Sequence, residues 1–283
     1  MRISSLLACL ALAACAHAPE PLVGRIWDAR AERYVAAEEV VERAAHTRHV
    51  LLGETHDNAE HHRQQLRLLQ ALAARGETRV LAMEQFDSDE QAAIDAARGA
   101  ASDAEALADA AHFDRKGWIW PRYQPLVEFA LARGWPLVGA NLSRSEARAI
   151  VTDPARSHLA PAPPAVQRAL EHDIIASHCG AAPEARRLAG MVEAQRARDS
   201  RMAEVLARLR WSGSVLIAGI GHVRRDRGVP LYLPDSQVVS IAFVEVQPGK
   251  DSPHDYYDDF ASASSFDYLW FTPRAERQDP CKM

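Results

Sequence analysis

The sequence contains no CxxC pair, no HExxH, no GxxxxGK[ST] and no GxSxG. These absences remove the familiar thiol and helix-borne zinc motifs, the phosphate-cradling loop and the serine nucleophile elbow. There is no basic block either. Arginine heavily outnumbers lysine, but the formal charge is −5 and the cations are scattered, which argues against a partner with a phosphate backbone and so against nucleic acid. No internal repeat divides the chain. What remains is an ordinary globular composition, 48% hydrophobic and 25% charged over 283 residues, which reads as one domain.

The start, MRISSLLACLALAACAHAPEP, has Arg2, a short apolar stretch and then Leu12-Ala13-Ala14-Cys15. It reads as a signal peptide, too short to span as a stable membrane helix. Leu-Ala-Ala-Cys matches the bacterial lipobox, whose cysteine becomes the lipidated first residue; a plain secretory signal that happens to contain Cys15 is the other reading. Ala16 after the cysteine resembles lipoproteins sorted to the outer membrane. Residues 1–15 are then signal, 16–24 a Pro- and Ala-rich tether, and 25–283 the domain. Cys9 leaves with the signal. Acylation of Cys15 leaves Cys179 and Cys281 as an even pair in an oxidising compartment, and a disulfide between them is expected to tie the C-terminal tail to the body.

Short apolar runs that end in glycine or a polar residue predict buried strands over 49–53, 79–86, 135–141, 214–220 and 238–246. Helices are expected between them. A short one covers 35–43. The next is capped by Asn58 and stopped by Gly76, with Leu66, Leu69, Leu72 and Ala73 facing inward. Others run from Asp87-Ser88 through residue 97, on through 100–112, after an aromatic cluster within 117–134, and over 165–177 and 184–210. The stretch 153–164 has four prolines and reads as a loop. In the acidic, aromatic tail, 267–271 is expected to add a strand. Alternating strands and helices imply an α/β fold, a mainly parallel central sheet flanked by helices on both faces.

Chemistry-bearing residues gather at the strand ends: Glu54 and His56, then Glu84 and Gln85, then Asn141, then His222. Ligands of open parallel sheets bind beyond the carboxyl ends of the strands, so these segments are expected to converge on one site. A lone glutamate inside LAMEQF is costly to bury charged and unpaired, so Glu84 needs a partner, a metal or a proton. Glu54, His56, Glu84 and His222 are the ligand types of a His/carboxylate metal centre. The plainer reading has His56 capping a turn and Glu54 pairing with an arginine such as Arg144. His61 and His62 project about 100° apart from one helical turn, so one is expected to face the site and the other solvent. Trp118, Trp120 and Tyr123 either pack in the core or make a flat apolar wall. Arg198, Asp199 and Met202 fall together by helical spacing; Asp199 either reaches the site or pairs with Arg198 or Arg196 at the surface.

In this order, GETHDNAEHH at 53–62, MEQF at 83–86, WPRYQPLVEFA at 120–130, VGANLSR at 138–144, HCG at 178–180, AQRARDSRMAE at 194–204 and AGIGHVRRDRGVP at 218–230 resemble the ChaN-like haem-binding lipoproteins. These belong to the Tiki superfamily, with erythromycin-esterase-like and TraB-like proteins, and the likeness covers about 50–245. The resemblance implies the α/β fold, envelope anchoring and a part in haem or iron acquisition. It also implies two haems stacked face to face in a dimer interface, with tyrosine on the iron and histidine near the propionates. Haem is then the expected ligand, a homodimer forms on binding it, and an outer-membrane receptor is a candidate partner. Tyr123, inside a matching motif, is the expected iron ligand ahead of Tyr256 and Tyr257. His56, His61, His62, His222, Trp120, Asn141 and Arg144 complete the expected haem-contacting set. A second reading rests on superfamily members thought to be metal-dependent hydrolases. In it Glu54, His56, Glu84 and His222 hold a divalent metal or act as general base and acid.

Overall fold

The computed structural model describes residues 21–100, 103–209, 213–233, 237–257, 265–278 and 281. Along the chain run β1 (Ile26–Asp28), β2 (Arg33–Val35), α1 (Ala37–Ala45), β3 (His49–Glu54), α2 (Ala59–Ala74), β4 (Val80–Asp87), α3 (Gln91–Ala100) and α4 (Ala104–Ala110). There follow α5 (Trp120–Arg133), β5 (Leu137–Asn141), α6 (Arg144–Thr152), α7 (Pro164–Ser177), α8 (Ala185–Arg208), β6 (Ser214–Gly219), β7 (Val238–Glu245) and β8 (Tyr268–Thr272). The expected signal, 1–15, and the first part of the tether, 16–20, lie outside the described residues. Residues 21–24 are not tether. Leu22 is buried in the core, and the Gly24 N–H donates to the Phe271 carbonyl at 3.0 Å.

One sheet has the order β2-β1-β8-β7-β3-β6-β4-β5. The last six are parallel, as the alternation of elements implies, and β1 and β2 extend one edge antiparallel. That hairpin escapes sequence reading because three-residue strands carry no measurable period. The central register sets Leu52 beside Ile217 and Ile241, and Met83 beside Ile217.

Alternate residues of each strand then serve opposite faces. Val50, Leu52, Leu81, Met83, Val215 and Ile217 join a core with large side chains of α2 and α5, among them Leu69, Tyr123 and Phe129. Leu51, Ala82, Leu216, Ala218 and Ala242 meet Met202, Ala203 and Leu206 of α8. Ala82, Ala218 and Ala242 keep this face shallow where α8 packs, and α6 lies close against α8. A Cβ at Gly190 would stand 2.1 Å from the Val151 carbonyl oxygen, so this approach requires glycine.

Helix starts fix the loops beyond the strand ends. Asn58 caps α2 by accepting from the Glu60 N–H, and Ser143 with Glu146 closes a capping box on α6. In α2 the buried stripe is His61, His62, Gln65, Leu68, Leu69 and Leu72; Leu66 and Ala73, expected inside, are only partly buried. The helix expected through 100–112 is interrupted, for Asp103 caps a separate α4. Cys179 and Cys281 are joined as a disulfide with Cα atoms 5.5 Å apart, closing 102 residues of chain. Among the described residues no helix is long and apolar enough to cross a membrane.

Candidate functional site

Glu54 closes β3 with its carboxylate fully buried. The Tyr123 hydroxyl donates to it at 2.6 Å, the Gln65 amide at 2.7 Å and the His56 Nδ1 at 2.9 Å. His62 Nδ1 lies 3.3 Å away, and its ring meets Tyr123 edge-on at 4.7 Å. Burial pushes this carboxyl up, but His62, His56 and Tyr123 outweigh it and hold Glu54 below the ordinary carboxylate range. Arg144 is not its partner. It pairs instead with Asp114 at 2.5 Å, out at the surface.

Glu84, on β4 across the intervening β6, faces the other side of the sheet. It accepts from the Gly219 N–H at 2.7 Å and lies 3.3 Å from His222 Nε2, while His222 Nδ1 stands 2.6 Å from Asp199. Burial opposes the charge on both partners, yet each overcomes it: Glu84 is held well below its usual range, and His222 is raised to about 10 by Glu84 and Asp199. Asp199, desolvated on α8, is lifted to about 6. Asp199 thus reaches the site rather than pairing at the surface, and Gln195, one turn earlier, adds an amide 3.2 Å from His222 Nδ1.

His56 links the two groups. Bonded to Glu54, it lies across the end of β6, where a Cβ at Gly219 would come within 3.0 Å of its Nε2. Its ring meets Trp118 edge-on at 4.8 Å, and 44% of its side chain is exposed. Burial lowers the imidazole, but Glu54 and Glu84 outweigh that and raise it. His56 opens onto a cleft of about 830 Å³ whose walls include Gln85, Asp87, Phe113, Asp114, Lys116, Trp118, Asn141, Arg144 and Arg198, within the usual range for a ligand pocket of roughly 300–1,000 Å³.

The expected residues therefore separate. His56, Asn141 and Arg144 line the cleft; Glu54, Glu84, His62 and His222 lie beneath it. His61 belongs to neither group and is not solvated: its Nδ1 accepts from the Thr55 N–H and its Nε2 donates to Thr272 Oγ1, both at 2.8 Å. Burial lowers that ring to about 4. His62 is not solvated either. Tyr123 is wholly buried with its hydroxyl held by Glu54, and burial and that carboxylate keep the phenol far above its ordinary value. Trp120 is core as well, packed on Phe113 at 4.8 Å, with its N–H on Glu105. Gln65 was missed, although it stands one helical turn after His61. Among the described residues no group of three or more His, Cys, Asp or Glu side chains is arranged to hold a metal ion. The four expected ligands are hydrogen-bonded in two sets on opposite faces.

A family model described as "Haem-binding uptake, Tiki superfamily, ChaN" matches residues 40–233. The chain belongs to this family. Among solved structures it is similar to ChaN of Campylobacter jejuni, described with cofacial haem binding, with a TM-score of 0.73 and 25% identity over 87% of this chain and 95% of that one. A mutant of the erythromycin esterase EreC in its open conformation matches with a TM-score of 0.49 and 14% identity, over 87% of this chain and 95% of that one. Among curated proteins none matches the sequence.

Proposed function

We propose that this protein binds haem as a lipid-anchored member of its family and takes part in haem or iron acquisition. The observation that carries the reading is the family match over 40–233, supported by the likeness to a ChaN that binds haem cofacially. The cleft fits such a ligand: Trp118 and Phe113 give it aromatic surface, and four cations face two carboxylates in its walls. When bound, haem supplies the iron and two propionates; His56, Asn141 and the cleft cations are the groups on hand for the propionate edge.

In this reading Cys15 carries the lipid, the outer membrane is the destination, and an outer-membrane receptor is the exchange partner. Haemin titration of the purified protein, followed by visible absorbance and sedimentation, tests the core of it. Saturable binding with a shift from monomer to dimer is expected. Weak, unsaturable binding with unchanged mass would overturn it. Loss of fatty-acid labelling in Cys15→Ala tests the anchor.

A further inference from the structure

The cleft is locally basic in a chain whose net charge is −5. Its four cations are not equivalent. Arg115 is committed to Glu105 and Asp109, and Arg144 to Asp114. Among the described residues, Arg198 and Lys116 have no such partner for their side chains. We propose that Arg198 and Lys116 are the carboxylate-recognising pair of the cleft and that, on the haem reading on which this rests, they take the propionates.

The helix leaves Arg198 little choice. Asp199, next to it on α8, is tied to His222, and Met202, one turn on, is fully buried. With these two locked inward, Arg198 stays on the cleft wall, partly buried, with no hydrogen bond or ion pair among the described residues. Asp199 lies in its field, and the planar donors of the guanidinium are left for a ligand. Asp87 lines the same cleft and feels the charge of Arg198 without pairing with it. Gln85, 3% exposed, shares the lining and its Oε1 has no hydrogen-bond partner. That oxygen is an acceptor and needs a donor, so of the two it is Arg198, with donors alone, that suits a carboxylate. A planar guanidinium matches a carboxylate in two parallel hydrogen bonds, while lysine adds a point charge. Lys116, on the exposed loop before α5, is free to follow a second carboxylate.

The test titrates haemin and haemin dimethyl ester, whose propionates are masked, into the full-length protein in detergent and its Arg198→Gln and Lys116→Gln variants. Haemin affinity should fall roughly tenfold or more in Arg198→Gln, the loss of a charge-assisted contact, and a few-fold in Lys116→Gln. The ester should bind more weakly than haemin to the unaltered protein and equally to all three forms. Thermal melts identify any loss of fold in Arg198→Gln, and Lys116→Gln, on its exposed loop, carries the test if that occurs. Haemin binding unchanged in both variants overturns the pair while leaving the haem reading intact. Equal losses for haemin and ester also overturn it, since they report shape rather than carboxylate recognition. An unaltered protein that binds no haemin overturns both.

Discussion

Glu54 and Glu84 sit near the carboxyl ends of two strands that flank β6 and are both sealed from water, yet they point to opposite faces and stay charged by different means. Glu54 spreads its charge over the Tyr123 hydroxyl of α5, the Gln65 amide and His62 of α2, and His56 of the loop after β3. Glu84 relies on one backbone N–H and on His222, which it shares with Asp199 of α8. The first arrangement divides the work among several modest bonds. The second concentrates it in one imidazolium between two carboxylates. His56 belongs to both, being bonded to Glu54 and lying in the field of Glu84, and it alone of these groups opens to the cleft.

Removing His222 should therefore be the most damaging change. His222→Ala removes the counter-charge of two buried acids, leaving Glu84 only the Gly219 N–H, at a cost on the order of 3–5 kcal/mol, read from denaturant unfolding. The comparison predicts an alkaline signature too. With the folded pKa raised from 6.5 to about 10, the stabilisation from His222 is full below pH 6.5 and is lost as pH rises through about 10. His222→Gln should flatten that limb, and an unchanged limb would refute the charged triad.

His61 tests the converse. It is as deeply buried as His222, but its ring nitrogens meet a backbone N–H and a hydroxyl, and its pKa falls from 6.5 to about 4. The folded state then resists a proton that the unfolded chain accepts. Stability is full above pH 6.5 and declines as pH falls toward 4, by on the order of 3 kcal/mol. Asp87 and Asp199, both raised to about 6, act in the opposite sense over part of that window. Comparison with His61→Gln isolates the histidine's share, and the variant should lose less stability on acidification than the parent.

Much of this arrangement is legible from residue order. The buried strands announce themselves as short apolar runs, and the polar residues at their ends mark where a parallel sheet places its ligand. What the order conceals is direction. Strand alternation sends Glu54 with Leu52 to one face and Glu84 with Ala82 to the other, so four residues that look like one metal centre form two hydrogen-bonded sets. The face of α2 misleads for a related reason: His61, His62 and Gln65 occupy the buried stripe, and polar side chains there erase the apolar period that would have revealed it. Tyr123 sits in a motif that resembles the family's, but its hydroxyl serves Glu54, a contact that no local spacing encodes.

Tyr123→Phe turns that last point into a measurement. Glu54 loses one of its donors and keeps Gln65, His56 and His62, so the cost should be about 1.5 kcal/mol, clearly below that of His222→Ala. Because the ring stays in the core, the visible spectrum of the haem complex should match the parent's. A changed iron spectrum would mean that Tyr123 leaves Glu54 on binding, and that the division between cleft and buried network does not hold.

The smallest effect is expected at Arg144, the partner that the plainer reading of the sequence offers Glu54. Its pair with Asp114 is solvent-exposed, with 56% and 40% of the two side chains accessible, and such pairs contribute about 0–1 kcal/mol. Arg144→Ala should thus leave unfolding nearly unaltered and change haemin affinity less than Arg198→Gln does. The reason is the same in both measurements: a cation already engaged at the surface has less to give a ligand than one kept on the cleft wall without a partner. If Arg144→Ala proved as costly to haemin binding as Arg198→Gln, the Arg144–Asp114 pair must open when the ligand enters, and the propionate edge would lie nearer α6 than α8.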